Sequence, residues 1–287
     1  MTTYRHIVWT IGFITYLTAS GPSQPTASPG TSPWVMATFP FLTHPHLEAV
    51  FAPMARALSD SLGIPVEYHF SSSYERFMEG LSRQEYDLAF IQPFDYVRTG
   101  IDAGYVPLVR RSPYLRGVLV IHPDSALVTV EALAGKTIAA PPAPAAVSLL
   151  GKLFLLSRLP NKEFHWKHLS SHESALLLLL SGGAQAALVA PAPLRFFEAR
   201  MNVRFSRLAF TDSIPGALFV AHSRIPVPLQ GRIRRILLHQ RLSPAAEQLF
   251  GKGTCSPFCI ATEEEYRQVQ RYWRFIEQRR LFPAPQR

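Results

Sequence analysis

The sequence predicts an α/β fold in which helices pack against mostly parallel β-sheets. Two observations support this prediction. From Trp34 onward, short apolar segments alternate with longer segments whose apolar residues recur every three to four positions. Such alternation is typical of chains in which helices cover the faces of a parallel sheet. The second observation is size: 287 residues, 47% of them hydrophobic, can form one large domain or two of roughly 100–150 residues.

The first predicted elements alternate between strands and helices. Strands are predicted at residues 34–39, 65–70 and 87–91, and helices at residues 46–62 and 74–82. The first helix carries one apolar stripe and ends at Gly63, because glycine accepts a left-handed backbone. Ser73 is placed to cap the second helix. The third strand is nearly all apolar, which indicates that both of its faces are buried.

The same pattern continues toward the C-terminus. Further strands are predicted at residues 117–122, 135–140, 186–190 and 218–221, and helices at residues 130–133, 147–159, 174–181, 229–240 and 263–280. Residues 175–180 read ALLLLL and are apolar on every side. We interpret them as part of a buried helix, since six residues cannot span a bilayer.

The N-terminus has the order of parts of a secretory signal peptide. A short basic start at residues 4–6 precedes the apolar run 7–17, and the small residues 18–20 suit a cleavage site. The run is too short to span a bilayer. Residues 21–33 are rich in Pro, Gly and Ser and predict a flexible leader. An uncleaved membrane anchor is the alternative interpretation.

The net charge of +9 is unevenly distributed. Residues 1–194 contain 13 basic and 13 acidic side chains, whereas residues 195–287 contain 16 and 7. A basic surface can attract nucleic acid, anionic lipid or an acidic protein. The arginines are dispersed among Ile, Leu and Phe, and no nucleic-acid motif accompanies them. We therefore predict a solvated basic face on the C-terminal helices and no nucleic-acid partner.

The sequence predicts no cofactor, no metal site and no catalytic site. The motifs G-x-S-x-G and H-E-x-x-H and the P-loop pattern are absent from it. The residues with side chains suited to a metal are the pairs His44/His46 and His165/His168 and the cysteines Cys255 and Cys259. A proline in a predicted loop divides the first histidine pair, and a lysine lies within the second. Whether the two cysteines form a local disulfide stays open, because their spacing does not fix the required geometry.

Four segments in register resemble the family of periplasmic proteins that bind phosphonate, phosphite and phosphate. EYDLAFIQPFDYV at residues 85–97 is similar to the family pattern D-L-A-x-x-x-P-x-x-Y. LAGKTIA at residues 133–139 resembles L-x-G-K-x-V-A, and SHESAL at residues 171–176 resembles S-H-D-x-A-L. DSIPGALFV at residues 212–220 resembles P-I-P-x-x-P-L-V-V. The resemblance extends over nearly all of the predicted mature chain, from about Trp34 to Tyr266.

The resemblance implies a two-lobed periplasmic-binding-protein fold of type II, with a ligand cleft between two α/β lobes. Residues 34–115 and 218–287 would form lobe one and residues 116–217 lobe two, after a signal peptide at 1–20 and a leader at 21–33. It further implies a periplasmic, monomeric solute-binding protein without enzyme activity or a stable membrane span, which delivers a small-molecule ligand to an ABC permease. The alternative is a periplasmic sensor or interaction module of the same fold that docks a partner protein.

The resemblance also assigns candidate ligand-binding residues to the cleft. Tyr74 and Tyr96 are each interpreted either as a hydrogen-bond donor to the ligand or as a core aromatic residue. Asp95 either binds a cation on the ligand or caps the helix that follows it. His172 matches the family's ligand histidine at a helix start, where it either contacts the ligand or has a structural role. Ser148 is the remaining hydroxyl near the predicted ligand loop.

The largest departure from the family lies at residues 141–148. Members that bind phosphonates have consecutive Ser and Thr residues here at a helix start, whereas this chain reads PPAPAAVS. The hydroxyl donors are absent, and Pro144 has no N–H to donate. Each hydrogen bond lost to a charged ligand costs about 1.5–3 kcal/mol. The sequence therefore predicts an altered ligand that is less polar than a phosphonate.

Overall fold

A computed structural model of the chain describes residues 32–251 and 256–281. The strands are β1 (Trp34–Thr38), β2 (Val66–Phe70), β3 (Leu88–Ile91), β4 (Tyr105–Arg111), β5 (Val118–Ile121), β6 (Thr137–Ala140), β7 (His165–His168), β8 (Ala186–Val189), β9 (Ser206–Phe210), β10 (Leu218–His222) and β11 (Phe258–Ile260). The α-helices are α1 (His44–Leu62), α2 (Tyr74–Ser82), α3 (Pro93–Asp95), α4 (Ala146–Arg158), α5 (His172–Leu180), α6 (Pro191–Met201), α7 (Val227–His239), α8 (Pro244–Phe250) and α9 (Arg267–Gln278). A π-helical turn, Tyr96–Gly100, continues α3. The predicted signal peptide and Cys255 lie outside the described residues.

The strands form two sheets, one in each lobe. The order is β11-β4-β10-β3-β1-β2 in lobe one and β7-β6-β8-β5-β9 in lobe two. Strand β1 pairs in parallel with β2 and β3, and β6 pairs in parallel with β7 and β8. Pairings of β10 with β3 and β4, of β11 with β4, and of β5 with β8 and β9 are antiparallel.

The α/β prediction is confirmed, but the expectation of mostly parallel sheets is wrong. Helical crossovers within a lobe deliver parallel strands. Strands β5 and β10 instead enter their sheets directly from the other lobe, and they are antiparallel to the strands beside them. Sequence periodicity locates these strands but does not show that the chain changes lobes before each of them.

Two extended segments connect the lobes and lie side by side. The Leu115 N–H donates to the Ile214 carbonyl at 2.8 Å, and the Ile214 N–H donates back to the Leu115 carbonyl at 2.9 Å. Nearer lobe one, the Arg111 N–H donates to the Ala217 carbonyl at 2.9 Å. The outgoing and returning segments are therefore paired by backbone hydrogen bonds.

Local signals fix several helix ends as predicted. Gly63 ends α1 in the left-handed region, with φ of 71°. Ser73 caps α2 by accepting the Arg76 N–H at 3.1 Å. The structure shows a further cap at α5, where Ser171 accepts the Ser174 N–H at 3.1 Å. Elements that were not predicted are β4, β7, β9, β11, α3, α6 and α8.

The histidine pairs lie in regular structure. His44 and His46 form the first turn of α1 and not a loop, because proline suits the first turn of a helix. His165 and His168 lie in β7. Within the part of the chain that the structure describes, no group of three or more His, Cys, Asp or Glu side chains could hold a metal ion. No helix in those residues is long and apolar enough to cross a membrane.

Helix α4 lies between the two lobes. One side of the helix packs on the lobe-two sheet through Val147 and Leu155. The other side joins the lobe-one core through Ala146, Leu149 and Leu150. Helix α4 is therefore one element through which the lobes share apolar contact.

Gly151 is the point at which α4 approaches β8 most closely. A Cβ at this position would lie 2.0 Å from Cδ2 of Leu188, which is fully buried. We therefore expect Gly151→Ala to lower the free energy of unfolding by about 1–3 kcal/mol, because a well-packed core resists an added methyl group.

Gly231 in α7 provides the matched control. Apart from its chain neighbours and the backbone of its own helix, a Cβ there would have no heavy atom within 4 Å. Gly231→Ala should therefore raise the free energy of unfolding by up to about 1 kcal/mol, since glycine is unfavourable inside a helix. Urea denaturation of both variants measures the difference. A Gly151→Ala variant as stable as Gly231→Ala would contradict the close contact between α4 and β8.

Candidate functional site

The carboxyl end of β3 faces the start of α4 across the lobe boundary. Gln92 directly follows β3, and its Oε1 accepts a hydrogen bond from the Ala146 N–H at 3.1 Å. Ala146 is the first residue of α4, and its N-cap residue, Ala145, provides no side-chain hydrogen bond. A donor that would otherwise be unsatisfied at this helix start is thus satisfied from lobe one. In open α/β sheets this carboxyl edge is where ligands bind.

Asp95 lies one turn beyond Gln92, and side chains from lobe one surround its carboxylate. The Tyr74 hydroxyl donates to Oδ1, and the Gln92 Nε2 donates to Oδ2 at 3.5 Å. Nη2 of Arg98 lies 4.0 Å from Oδ1 and also donates to the Tyr74 hydroxyl at 3.5 Å. A phenol, an amide and a guanidinium group therefore converge on one carboxylate.

Burial controls the ionisation of this group. Only 2% of Asp95 is exposed, and desolvation raises the pKa of its carboxyl to about 6. The Arg98 charge and the hydrogen bonds from Tyr74 and Gln92 lower that pKa and only partly offset the burial. Burial, followed by the charge of Asp95, raises the pKa of Tyr74 well above its ordinary value. The phenol therefore keeps its proton and acts as a donor at neutral pH.

Arg98 is held between aromatic rings as well as beside the carboxylate. Its guanidinium carbon lies 5.8 Å from the ring centroid of Tyr74 and 5.7 Å from that of Trp273 in α9. Such cation–π contacts fix the orientation of a guanidinium group. The π-helical turn that carries Arg98 begins directly after Asp95. Helical turns of this kind often occur at functional sites.

His172 occupies the corresponding edge of lobe two. It begins α5, and its Nδ1 accepts the Ala190 N–H at 3.3 Å at the start of α6. Burial lowers the pKa of His172 to about 4, so the imidazole is neutral at pH 7. Because Nδ1 accepts a hydrogen bond, the proton lies on Nε2, which is available as a donor. The neighbouring Glu173 pairs with Arg200.

Ser148 fixes the loop that precedes α4. Its side chain is fully buried, and its hydroxyl donates to the Pro141 carbonyl at 3.0 Å. Nδ1 of His168 lies 2.8 Å from the same oxygen, and the carbonyl accepts its proton. The Ala145 N–H donates to the Pro142 carbonyl at 2.9 Å and closes the turn. The Ser148 hydroxyl is therefore engaged within its own loop.

Tyr96 lies in the lobe-one core. Only 1% of the residue is exposed, and its ring packs edge-on against Tyr266 with centroids 5.3 Å apart. Of the predicted site residues, the structure thus brings Tyr74 and Asp95 together and places Tyr96 nearby in the core. Ser148 and His172 lie in lobe two, with partners of their own.

Sequence reasoning missed Gln92 and Arg98. Gln92 was detectable in principle, because a polar residue that directly follows a buried parallel strand lies at the edge of the sheet where ligands bind. Arg98 gave no such signal. Its partner Tyr74 is 24 residues away, and only the packing of the π-helical turn against α2 brings the two together.

A comparison with protein families identifies the class of the chain. A sequence model described as "ABC transporter, phosphonate, periplasmic substrate-binding protein" matches residues 36–266. The chain belongs to this family. The match confirms the resemblance predicted from the four segments. No curated protein sequence matches the chain.

Solved structures share the fold at low sequence identity. PhnD1 from Prochlorococcus marinus (MIT 9301), in complex with methylphosphonate, is 14% identical with a TM-score of 0.70, over 85% of this chain and 98% of that chain. XAC2383 from Xanthomonas citri, bound to ATP, is 14% identical with a TM-score of 0.71, over 88% and 100%. The periplasmic aliphatic sulphonate binding protein SsuA from Escherichia coli is 13% identical with a TM-score of 0.62, over 89% and 95%. These similarities confirm the two-lobed fold.

Proposed function

We propose that this family member is a periplasmic protein that captures a small solute, less polar than a phosphonate, between its lobes and delivers it to an ABC permease. Family membership supports the general role of a substrate-binding protein, and the members are binding proteins and not enzymes. One observation carries the specific part of the proposal. Helix α4 turns an apolar side toward lobe one, and its first N–H is already bonded to Gln92.

The apolar side of α4 disfavours a charged ligand. Ala146, Leu149 and Leu150 are each buried against the lobe-one core. The preceding loop, residues 141–145, consists of proline and alanine and has no hydroxyl group. A phosphonate at this helix start would find no side-chain donor in the loop, and it would have to displace Gln92 from Ala146.

The missing hydrogen bonds have a large effect on the affinity for a phosphonate. A hydrogen bond to a charged group contributes about 1.5–3 kcal/mol, and about 1.4 kcal/mol changes a dissociation constant tenfold. Loss of two or three such bonds therefore weakens binding of a phosphonate by several orders of magnitude. A solute with more apolar surface loses little at the same place, because its binding does not depend on those donors.

Thermal unfolding with and without ligand tests this proposal. We expect about 1 mM methylphosphonate to raise the melting temperature of the chain by less than about 1 °C, because a ligand stabilises only when its concentration exceeds its dissociation constant. PhnD1 from Prochlorococcus marinus is the positive control in the same assay. A rise of several degrees, or a micromolar dissociation constant for methylphosphonate, would contradict the altered ligand.

Native mass spectrometry of protein purified from its own host tests solute capture itself. We expect a bound molecule that extraction into organic solvent recovers. That molecule should raise the melting temperature when it is added back to ligand-free protein. Ligand-free protein that responds to no extracted molecule would overturn the transport role and favour the sensor or interaction module that docks a protein.

A further inference from the structure

The side chains around Asp95 are of the types that recognise an oxyanion. Phenol hydroxyls, amide N–H groups and guanidinium groups bind carboxylates and phosphonates through the same hydrogen bonds. Here Tyr74, Gln92 and Arg98 lie at the carboxyl edge of the lobe-one sheet, and all three are directed at Asp95. Tyr74 and Gln92 are therefore already hydrogen-bonded to an anion that belongs to the chain, and Arg98 is already paired with its charge.

The position of this carboxylate connects it to the contact between the lobes. The Gln92 side chain donates to Asp95 through Nε2 and accepts the Ala146 N–H through Oε1. One side chain thus joins the carboxylate in lobe one to the first turn of α4 in lobe two. A negatively charged solute that entered between β3 and α4 would meet a fixed negative charge whose partners are already used.

We propose that Asp95 is a specificity-determining residue: its carboxylate acts as an internal anion that occupies the oxyanion donors of lobe one and excludes negatively charged solutes from the cleft. The inference rests on the proposed function, since it supplies a second reason for a ligand other than a phosphonate. It assigns the ligand to the class of neutral or cationic solutes.

A purely structural role for Asp95 makes a different prediction. Asp95 is the third residue after the N-cap Gln92, and its carboxylate accepts a hydrogen bond from the Gln92 backbone, as in a capping box. If capping were its whole role, removal of the carboxylate would destabilise the protein without creating a site for methylphosphonate. The two roles are therefore distinguished by anion binding and not by stability alone.

The test compares wild type, Asp95→Ala and Asp95→Asn. Alanine removes the carboxylate and the hydrogen bonds that it accepts, whereas asparagine fills the same space and serves as the matched control. Formate is the carboxylate that the alanine variant lacks. We expect about 100 mM formate to raise the melting temperature of Asp95→Ala by about 3–5 °C relative to chloride at equal ionic strength. Wild type and Asp95→Asn should change by less than about 1 °C.

Calorimetric titration with methylphosphonate provides the decisive measurement. We expect Asp95→Ala to bind it at least about tenfold more tightly than wild type, because the donors then face an added oxyanion without a competing charge. Rescue by formate without a gain in methylphosphonate affinity would show that Asp95 only caps the helix, and would overturn the inference. If Asp95→Ala is recovered unfolded, the same anions are compared by the yield of refolded protein, and equal yields in methylphosphonate and chloride would also overturn it.

The outcomes separate this inference from the proposed function. If neither wild type nor Asp95→Ala binds methylphosphonate, the proposal of an altered ligand stands, but Asp95 is not the residue that excludes the phosphonate. Wild type that binds methylphosphonate with micromolar affinity overturns both.

Discussion

Asp95→Asn is expected to be more stable than wild type at pH 7, by about 2–3 kcal/mol in the free energy of unfolding. Burial raises the pKa of this carboxyl from 3.8 to about 6, and one pKa unit corresponds to about 1.4 kcal/mol. The charged carboxylate is therefore a cost to the folded state at neutral pH, even with Arg98, Tyr74 and Gln92 around it. Asparagine keeps an oxygen acceptor for these donors and removes the charge.

The stability difference between Asp95→Asn and wild type should increase with pH. Because the folded pKa is raised, the protonated carboxyl contributes stability that is fully present below about pH 4 and is lost as the pH rises through about 6. Wild type and Asp95→Asn should therefore be similar near pH 4 and differ most above pH 6. Urea denaturation across this range measures the difference. A variant that is less stable than wild type at pH 7 would show that the charge stabilises the fold.

His172→Gln is expected to behave in the opposite way and to be more stable than wild type at acidic pH. Burial lowers the pKa of His172 from 6.5 to about 4. The neutral imidazole thus contributes stability that is present above about pH 6.5 and is lost as the pH falls through about 4. Glutamine does not titrate, and its amide oxygen can accept the Ala190 N–H in place of Nδ1. We expect equal stability at pH 7 and an advantage of about 2–3 kcal/mol near pH 4.

The two residues oppose each other over the same pH range in wild type. Between about pH 4 and 6, Asp95 loses its contribution with rising pH while His172 gains one. Relative to wild type, Asp95→Asn should therefore gain stability with rising pH and His172→Gln should lose it. If the stability of both variants relative to wild type changed with pH in the same direction, at least one of the two pKa shifts would be contradicted. Wild type should show little net slope from this pair.

The cost of Asp95 at neutral pH is consistent with a role in binding. Charges that destabilise the folded state persist at functional sites, where substitutions that raise stability often lower function. His172 differs, because burial lowers its pKa and the neutral ring costs the fold stability only at acidic pH. Each side of the lobe boundary therefore carries one buried side chain whose pKa is shifted by desolvation.

Much of the fold followed from local sequence signals. Glycine at position 63 and serines at positions 73 and 171 set helix ends because their effect acts over three or four residues. The apolar strands β3 and β8 were recognisable because both faces are buried. In contrast, β9 has exposed and half-buried residues in nearly equal number, and no periodicity distinguished it from a loop.

The candidate site was less accessible to sequence reasoning. The resemblance pointed to Tyr74 and Asp95, but it did not show that they bond to each other. It also pointed to Tyr96, whose burial against Tyr266 depends on packing with α9 near the C-terminus. The bond from Ala146 to Gln92 joins residues 54 positions apart in different lobes. Contacts of this kind depend on how the lobes meet, which no local pattern encodes.

The position of β10 determines the order in which the protein can be completed. This strand pairs with β3 and β4 in the middle of the lobe-one sheet, yet it follows all of lobe two in the chain. As synthesis proceeds from the N-terminus, β3 and β4 are made about a hundred residues before the strand that joins them, and unpaired strand edges invite aggregation. Lobe one is therefore the first lobe to be synthesised and the last to complete its sheet. The edges of β3 and β4 that pair with β10 stay unpaired until lobe two has been synthesised.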